Sequence, residues 1–244
     1  MADTYVLIHG AWHDGSGWSD VAQRIRAEGH TVHTPTLAGN GHGDDIDRRI
    51  GHEAASASAV AYIEQNELSD IVLVGHSYGG TIISAVAEAI GERIKRLVYW
   101  NAFVLLDGES IDDVSPPHYK DMMDGSAAER GDGSCVLPFV VWREVFCNDM
   151  DLAQAQRAYE LTSPHPRKTL SDKLSLKRFW DLPIAKSYIN CTEDIAMPHG
   201  EYAWHPRFSA RLGLARIVAM PGGHEALFSN PELLATKIIE AGRD

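Results

Sequence analysis

A serine hydroxyl becomes a nucleophile only when a base takes its proton, so the first question is which serine is set up for that transfer. Ser77 lies in Gly75-His76-Ser77-Tyr78-Gly79-Gly80, after the apolar run Ile71–Val74 and before the helix-compatible segment Thr81–Ala89. Gly-x-Ser-x-Gly between a buried strand and a helix makes a sharp turn. Small residues on both sides let strand and helix approach closely, and the serine is lifted to the carboxyl edge of the sheet. The first N–H groups of a helix lack intrahelical partners, so the Tyr78 N–H can stabilise a developing oxyanion. A second donor is expected from His9-Gly10-Ala11-Trp12-His13-Asp14-Gly15, the turn after Tyr5–Ile8, with the Ala11 N–H as first choice. His9, at the end of that strand, reads as a structural hydrogen-bonding residue. The bland alternative, a glycine-bounded serine in an ordinary turn, is weakened by the strand and helix on either side.

Twelve histidines compete for the role of base. His224, in Met220-Pro221-Gly222-Gly223-His224-Glu225-Ala226, is the best placed, because it follows a late strand on a glycine turn and precedes the final helix. His76 should point away from its neighbour Ser77, and His30, His33, His42 and His52 read as solvent-exposed. A carboxylate must hold the imidazole tautomer and stabilise its charged form. Asp194, in the loop Thr192–Pro198 after a strand, satisfies the order serine, acid, histidine. Glu193 and Asp107 are the competing acids, and an aspartate in such a loop is by itself usually a turn former.

These groups need a frame to bring them together. Short β-rich runs at Tyr5–His9, Thr31–Thr34, Ile71–Val74, Leu97–Phe103, Ile184–Cys191 and Arg216–Met220 alternate with longer helix-compatible segments. That rhythm predicts an α/β fold, a mostly parallel sheet flanked by helices. Gly15–Gly29 and Glu53–Glu67 carry apolar residues near a 3.6-residue period, and Pro231–Ala241 follows the cap residue Asn230. From Asp107 to Leu182 the rhythm breaks. This region, residues 107–182, reads as a helical cap inserted in a core of residues 1–106 and 183–244. Helices are expected at Val136–Phe146 and Leu152–Leu161, with a turn at Ser163–Pro166.

The chain has 244 residues, with 22 Lys and Arg against 34 Asp and Glu, a formal charge of −12. No basic run is present to neutralise phosphates, so nucleic acid and anionic membranes are not expected partners. The longest apolar stretch, Leu97–Leu106, is broken by Asn101 and falls well short of the roughly 20 residues that span a bilayer. The N-terminal run Tyr5–Ile8 lacks the basic flank of a secretory signal, so a cytoplasmic location is expected. Three cysteines, Cys135, Cys147 and Cys191, show no metal-type spacing and read as reduced, partly buried thiols.

The combination of His9-Gly10-Ala11-Trp12, Gly75-His76-Ser77-Tyr78-Gly79-Gly80, Cys191-Thr192-Glu193-Asp194 and Gly222-Gly223-His224 resembles the α/β-hydrolase superfamily along essentially the whole chain. Within it, the short length and these loops look like the branch holding plant methylesterases, hydroxynitrile lyases and bacterial relatives. The resemblance implies Ser77, Asp194 and His224 as catalytic triad, Ala11 and Tyr78 as oxyanion hole, and a helical cap. Lyases of this branch carry a threonine after the first-strand histidine and a lysine after the catalytic histidine. Gly10 and Glu225 stand at those positions here, and an acid beside the base would repel cyanide.

The expected activity is therefore hydrolysis of a small hydrophobic or aromatic carboxylic ester through an acyl-enzyme, with no metal and no organic cofactor. A lactonase, an amidase or a low-turnover receptor shares the same residues. Trp12, Phe103, Tyr119, Met122, Met123, Phe139, Trp142 and Phe146 form the apolar set expected to shape the substrate pocket. The expected partner is a small-molecule ester, and a homodimer is an admissible assembly.

Overall fold

The computed structural model describes residues 2–244. The first half of the chain alternates as its patterning predicts: β1 (Thr4–Ile8), α1 (Ser19–Ala27), β2 (Thr31–His33), α2 (His52–Gln65), β3 (Ile71–His76), α3 (Gly79–Ile90) and β4 (Ile94–Trp100). There follow α4 (Ile111–Val114), α5 (Pro117–Arg130), β5 (Ser134–Cys135), α6 (Phe139–Val141), α7 (Leu152–Tyr159), β6 (His165–Pro166) and α8 (Lys168–Ser171), all short but α5. The chain then returns to the sheet with β7 (Ala185–Cys191), α9 (Arg207–Arg211), β8 (Ala215–Met220), α10 (Ala226–Ser229) and α11 (Pro231–Gly242).

Six strands pair in the order β2-β1-β3-β4-β7-β8, all parallel. β3 lies inside the sheet and is buried along its whole length, as its β-branched run requires. Period-two alternation divides the core. Tyr5 and Leu7 of β1 pack with Val21 and Ile25 of α1 and with Leu234 and Ile238 of α11, while Val6 and Ile8 pack on the other face with α2 and α3. Parallel pairing puts every carboxyl end on one rim: Ile8 lies opposite Gly75, Trp100 opposite Ile189, and Cys191 opposite Met220. The loops carrying Ala11, Ser77, Asp194 and His224 all leave from that rim.

Several boundaries differ from the sequence reading. β4 starts at Ile94 and stops at Trp100 because Asn101 turns away with φ +36°. The first helical segment opens as a 3-10 turn at Gly15–Trp18, capped by the Asp14 carboxylate accepting from Ser16 N–H, before α1 begins. Pro138 delays the helix expected from Val136, and the backbone widens to a π turn over Trp142–Phe146. α5 has no counterpart in the sequence reading, since its apolar residues form no stripe and Gly125 interrupts it. Residues 163–166 do more than turn, for β6 pairs antiparallel with β5.

The segment between β4 and β7 is bonded to the rim. Ser163 N–H donates to Trp12 O at 2.7 Å, and the Tyr119 hydroxyl donates to Ala196 O at 2.6 Å. No described helix is long and apolar enough to cross a membrane.

Candidate active site

Ser77 sits between β3 and α3 with φ +52°, a left-handed conformation that a side-chain-bearing residue adopts only when its surroundings enforce it. Three backbone bonds do so: Ser77 N–H donates to Trp100 O, and Ser77 O accepts from Gly80 and Phe103 N–H. The flanking glycines are dictated by close approach. A Cβ on Gly75 would lie 2.5 Å from Gly79 O, and one on Gly79 would lie 2.8 Å from Ile8 O. The turn thus holds the hydroxyl at the rim, where Ser77 lines a cavity.

His224 and Asp194 meet in the interior. His224 Nδ1 lies 2.6 Å from Asp194 Oδ2, and both side chains are buried. Asp194 Oδ1 also accepts from Ala196 N–H at 2.7 Å, and Oδ2 accepts from Asn101 Nδ2. Asn101 is fixed in turn, since its Oδ1 accepts from Cys191 N–H at 2.8 Å. The competing acids are placed elsewhere: Asp107 pairs with Lys177, and Glu193 is exposed. Burial opposes charging of the imidazole, but the charge of Asp194, the hydrogen bond to it and the charge of Glu225 together raise the His224 pKa above its ordinary value. With Nδ1 committed to Asp194, Nε2 is the nitrogen left for the serine. No hydrogen bond joins His224 to Ser77 among the described residues.

Aromatic packing fixes the imidazole plane. The Trp204 ring stacks on it at 5.2 Å and 13°, Phe146 meets it edge-on at 5.2 Å, and His76 lies 4.6 Å away. His76 does point away from Ser77: its Nε2 donates to His224 O at 3.1 Å, its ring stacks on Trp100, and burial depresses its pKa well below the ordinary value. His9 is structural, accepting from Leu37 N–H and donating to Gly10 O, with burial lowering its pKa to about 4. His52 departs from the sequence reading. It is buried and bonded to Thr81 Oγ1 at 2.8 Å, because α2 packs directly on α3.

Ala11 and Tyr78 line the same cavity as Ser77, and neither N–H has an acceptor among the described residues. Trp12, next to Ala11, holds φ +63°, a sharp turn that brings the loop against the elbow. The space between the cavity walls is about 550 Å³, counting what is open to solvent at its mouth. Of the apolar set expected from sequence, Trp12, Phe103, Tyr119, Met123 and Phe146 line it. Met122, Phe139 and Trp142 do not. Phe139 packs on Tyr159, Trp142 is fully buried with its indole N–H donating to Ala155 O, and Met122 lies against the core beside Met123. Ile111, Leu170, Ala196, Met197 and Trp204 complete the apolar lining and were missed.

His76, His224 and Glu225 each place a ligand-type atom within 4.8 Å of the others. His76 Nε2 is used on a carbonyl, His224 Nδ1 on Asp194, and Glu225 lies against His13, so these donors are already committed to the protein.

Residues 5–237 match the alpha/beta hydrolase family, and the chain belongs to that family. A solved structure described as an extracellular alpha/beta-hydrolase from a Paenibacillus species, sharing structural and functional homology with tobacco salicylic acid binding protein 2, is similar to it. The TM-score is 0.95 at 40% identity, over 99% of this chain and 100% of that one. A carbendazim hydrolyzing esterase of Nocardioides sp. (strain SG-4G) is 30% identical over 98% of this chain and 99% of its own length. A pyrethroid hydrolase of Sphingobium wenxiniae is 26% identical over 96% of this chain and 86% of its own length.

Proposed function

We propose that the chain is a serine hydrolase that cleaves a small, uncharged, hydrophobic or aromatic carboxylic ester through an acyl-enzyme. The observation that carries this reading is the buried Asp194–His224 contact on the same rim as a strained Ser77 that opens into an apolar cavity. In the proposed cycle His224 takes the Ser77 proton through Nε2, and Ser77 Oγ attacks the ester carbonyl. The Ala11 and Tyr78 N–H groups receive the tetrahedral oxyanion. His224, held by Asp194, then protonates the departing alcohol and activates the water that clears the acyl group.

An uncharged substrate fits because the charged groups at the cavity wall are already paired. Asp112 lies 2.7 Å from Arg167, and Lys120 lies 2.5 Å from Asp124. Nothing there is left to compensate a substrate carboxylate or ammonium. The relatives named for carbendazim and pyrethroid hydrolysis support ester chemistry in this family setting. The test is a turnover panel of p-nitrophenyl esters, aromatic methyl esters, carbendazim, a pyrethroid, lactones, amides and cyanohydrins, each compared with Ser77→Ala. Ser77-dependent turnover of an ester above all other classes supports the reading, and turnover that survives Ser77→Ala removes it. Three buried free thiols favour a cytoplasmic setting, whereas the Paenibacillus relative is described as extracellular. Fractionation of the host cell separates the two.

A further inference from the structure

Glu225 follows the base directly, yet its carboxylate is almost completely buried. Its Oε2 lies 3.1 Å from His13 Nε2, and neither atom has a hydrogen-bond partner elsewhere in the protein. The two groups therefore approach closely without an aligned hydrogen bond, and neither of these atoms has another polar partner. The surroundings do not otherwise call for a charge. Trp142 and Phe228 each pack 5.6 Å from the His13 ring, so apolar side chains at 13 and 225 would fill this space without the cost of burying polar groups. What the pair joins is informative. His13 lies two residues beyond Ala11, on the loop after β1, and Glu225 is adjacent to His224, on the loop after β8.

We propose that Glu225, held against His13, is a positioning residue for the base: it ties the loop bearing His224 to the loop bearing the oxyanion donor Ala11, and it sets a second buried carboxylate beside the imidazole. The proposal rests on the serine-hydrolase reading above. Other groups facing this locus are accounted for. Asp194 holds the opposite side of His224 and is the larger charge on it, with Glu225 adding in the same direction. His76, from the end of β3, is bonded to His224 O and is held neutral by burial. His9, on the same loop as His13, is likewise held neutral by burial. Cys147, beyond the π turn, is a buried thiol whose pKa is raised by burial and then by the charge of Glu225, so it carries no charge. Asp149 accepts from Gly223 N–H and Ser229 Oγ and anchors the other end of the base loop.

In the cycle the imidazole is neutral when it takes the proton and charged while the tetrahedral intermediate exists. A second buried carboxylate stabilises that charged interval.

The experiment titrates the His224 imidazole by NMR in the wild type, Glu225→Gln and His13→Gln, with circular dichroism to check folding, alongside kcat/KM against pH. Glu225→Gln is expected to lower the His224 midpoint, and the acid limb of kcat/KM with it, by about half a pH unit or more. His13→Gln removes the contact that holds the carboxylate beside the base and is expected to move both in the same direction by a smaller amount. Each variant predicts a downward shift, so either one that folds decides the matter. A folded variant whose His224 midpoint stays at the wild-type value, whatever its rate, overturns the proposal. If the wild type turns over no ester in the panel, the ester reading fails while the titration still judges this one.

Discussion

At the rim of the sheet every proposed reactive group lies within four residues of the strand that delivers it, whereas the segment over the rim is built from helices α4 to α8, of unequal length and tied down by individual contacts. Ser77 follows β3 immediately, Ala11 and Asp194 come three residues after β1 and β7, and His224 comes four after β8. These positions inherit the rigidity of parallel pairing. The covering residues Ile111, Tyr119, Met123, Phe146 and Leu170 have no common register, and their places depend on helix phase and on contacts such as Tyr119 to Ala196. In the proposed mechanism the difference separates two jobs: rim geometry sets whether chemistry occurs, and the covering segment sets what it occurs on.

Breaking the rim should have the largest effect. Ser77→Ala or His224→Ala is expected to lower kcat by about 10⁴–10⁶-fold, with a lower melting temperature for His224→Ala because it leaves the buried Asp194 carboxylate without its partner, measured with any substrate the panel identifies. Asp194→Asn should cost about 10⁴-fold, because the imidazole loses both its orienting acceptor and its counter-charge. Asn101→Ala sharpens the claim that the acid must itself be held. Losing one hydrogen bond to the buried carboxylate should lower kcat by about 10–100-fold with little change in KM.

The covering segment should respond differently. Met123→Ala or Leu170→Ala is expected to reorder the ester panel, changing kcat/KM by about 10-fold or more for the best substrate while a small acetate ester is less affected. The pH dependence follows from the raised pKa of His224. The base must be neutral to accept the proton, so activity is lost as pH falls through that pKa, and the acid limb should lie above the ordinary imidazole value of 6.5. Phe139→Ala, outside the cavity lining, should leave kcat/KM within about twofold.

The same contrast governs what the sequence revealed. The serine turn was legible because its requirements are local: a buried strand, two glycines at points of close approach and a helix start. The contact between Asp194 and His224, the proposed acid and base, was legible from their order after late strands. Asn101 was not, since in sequence it only interrupts an apolar run. Its function arises because β4 lies beside β7, which brings it against Cys191 and Asp194. Met122 and Met123 are chemically alike, and only the phase of α5, whose pattern carries no clear stripe, decides which one faces the cavity. Trp204 was invisible for a similar reason, because its stack on His224 depends on the path of the chain between β7 and α9.

The most direct measurement is rapid-quench mass spectrometry after mixing the protein with a p-nitrophenyl ester. One acyl group on the peptide containing Ser77, formed with a burst of one p-nitrophenol per chain and absent in His224→Ala, is the predicted result. Turnover by the wild type with the acyl group on a different residue, or with an unchanged adduct in His224→Ala, would contradict the assignment of Ser77 and His224 as nucleophile and base.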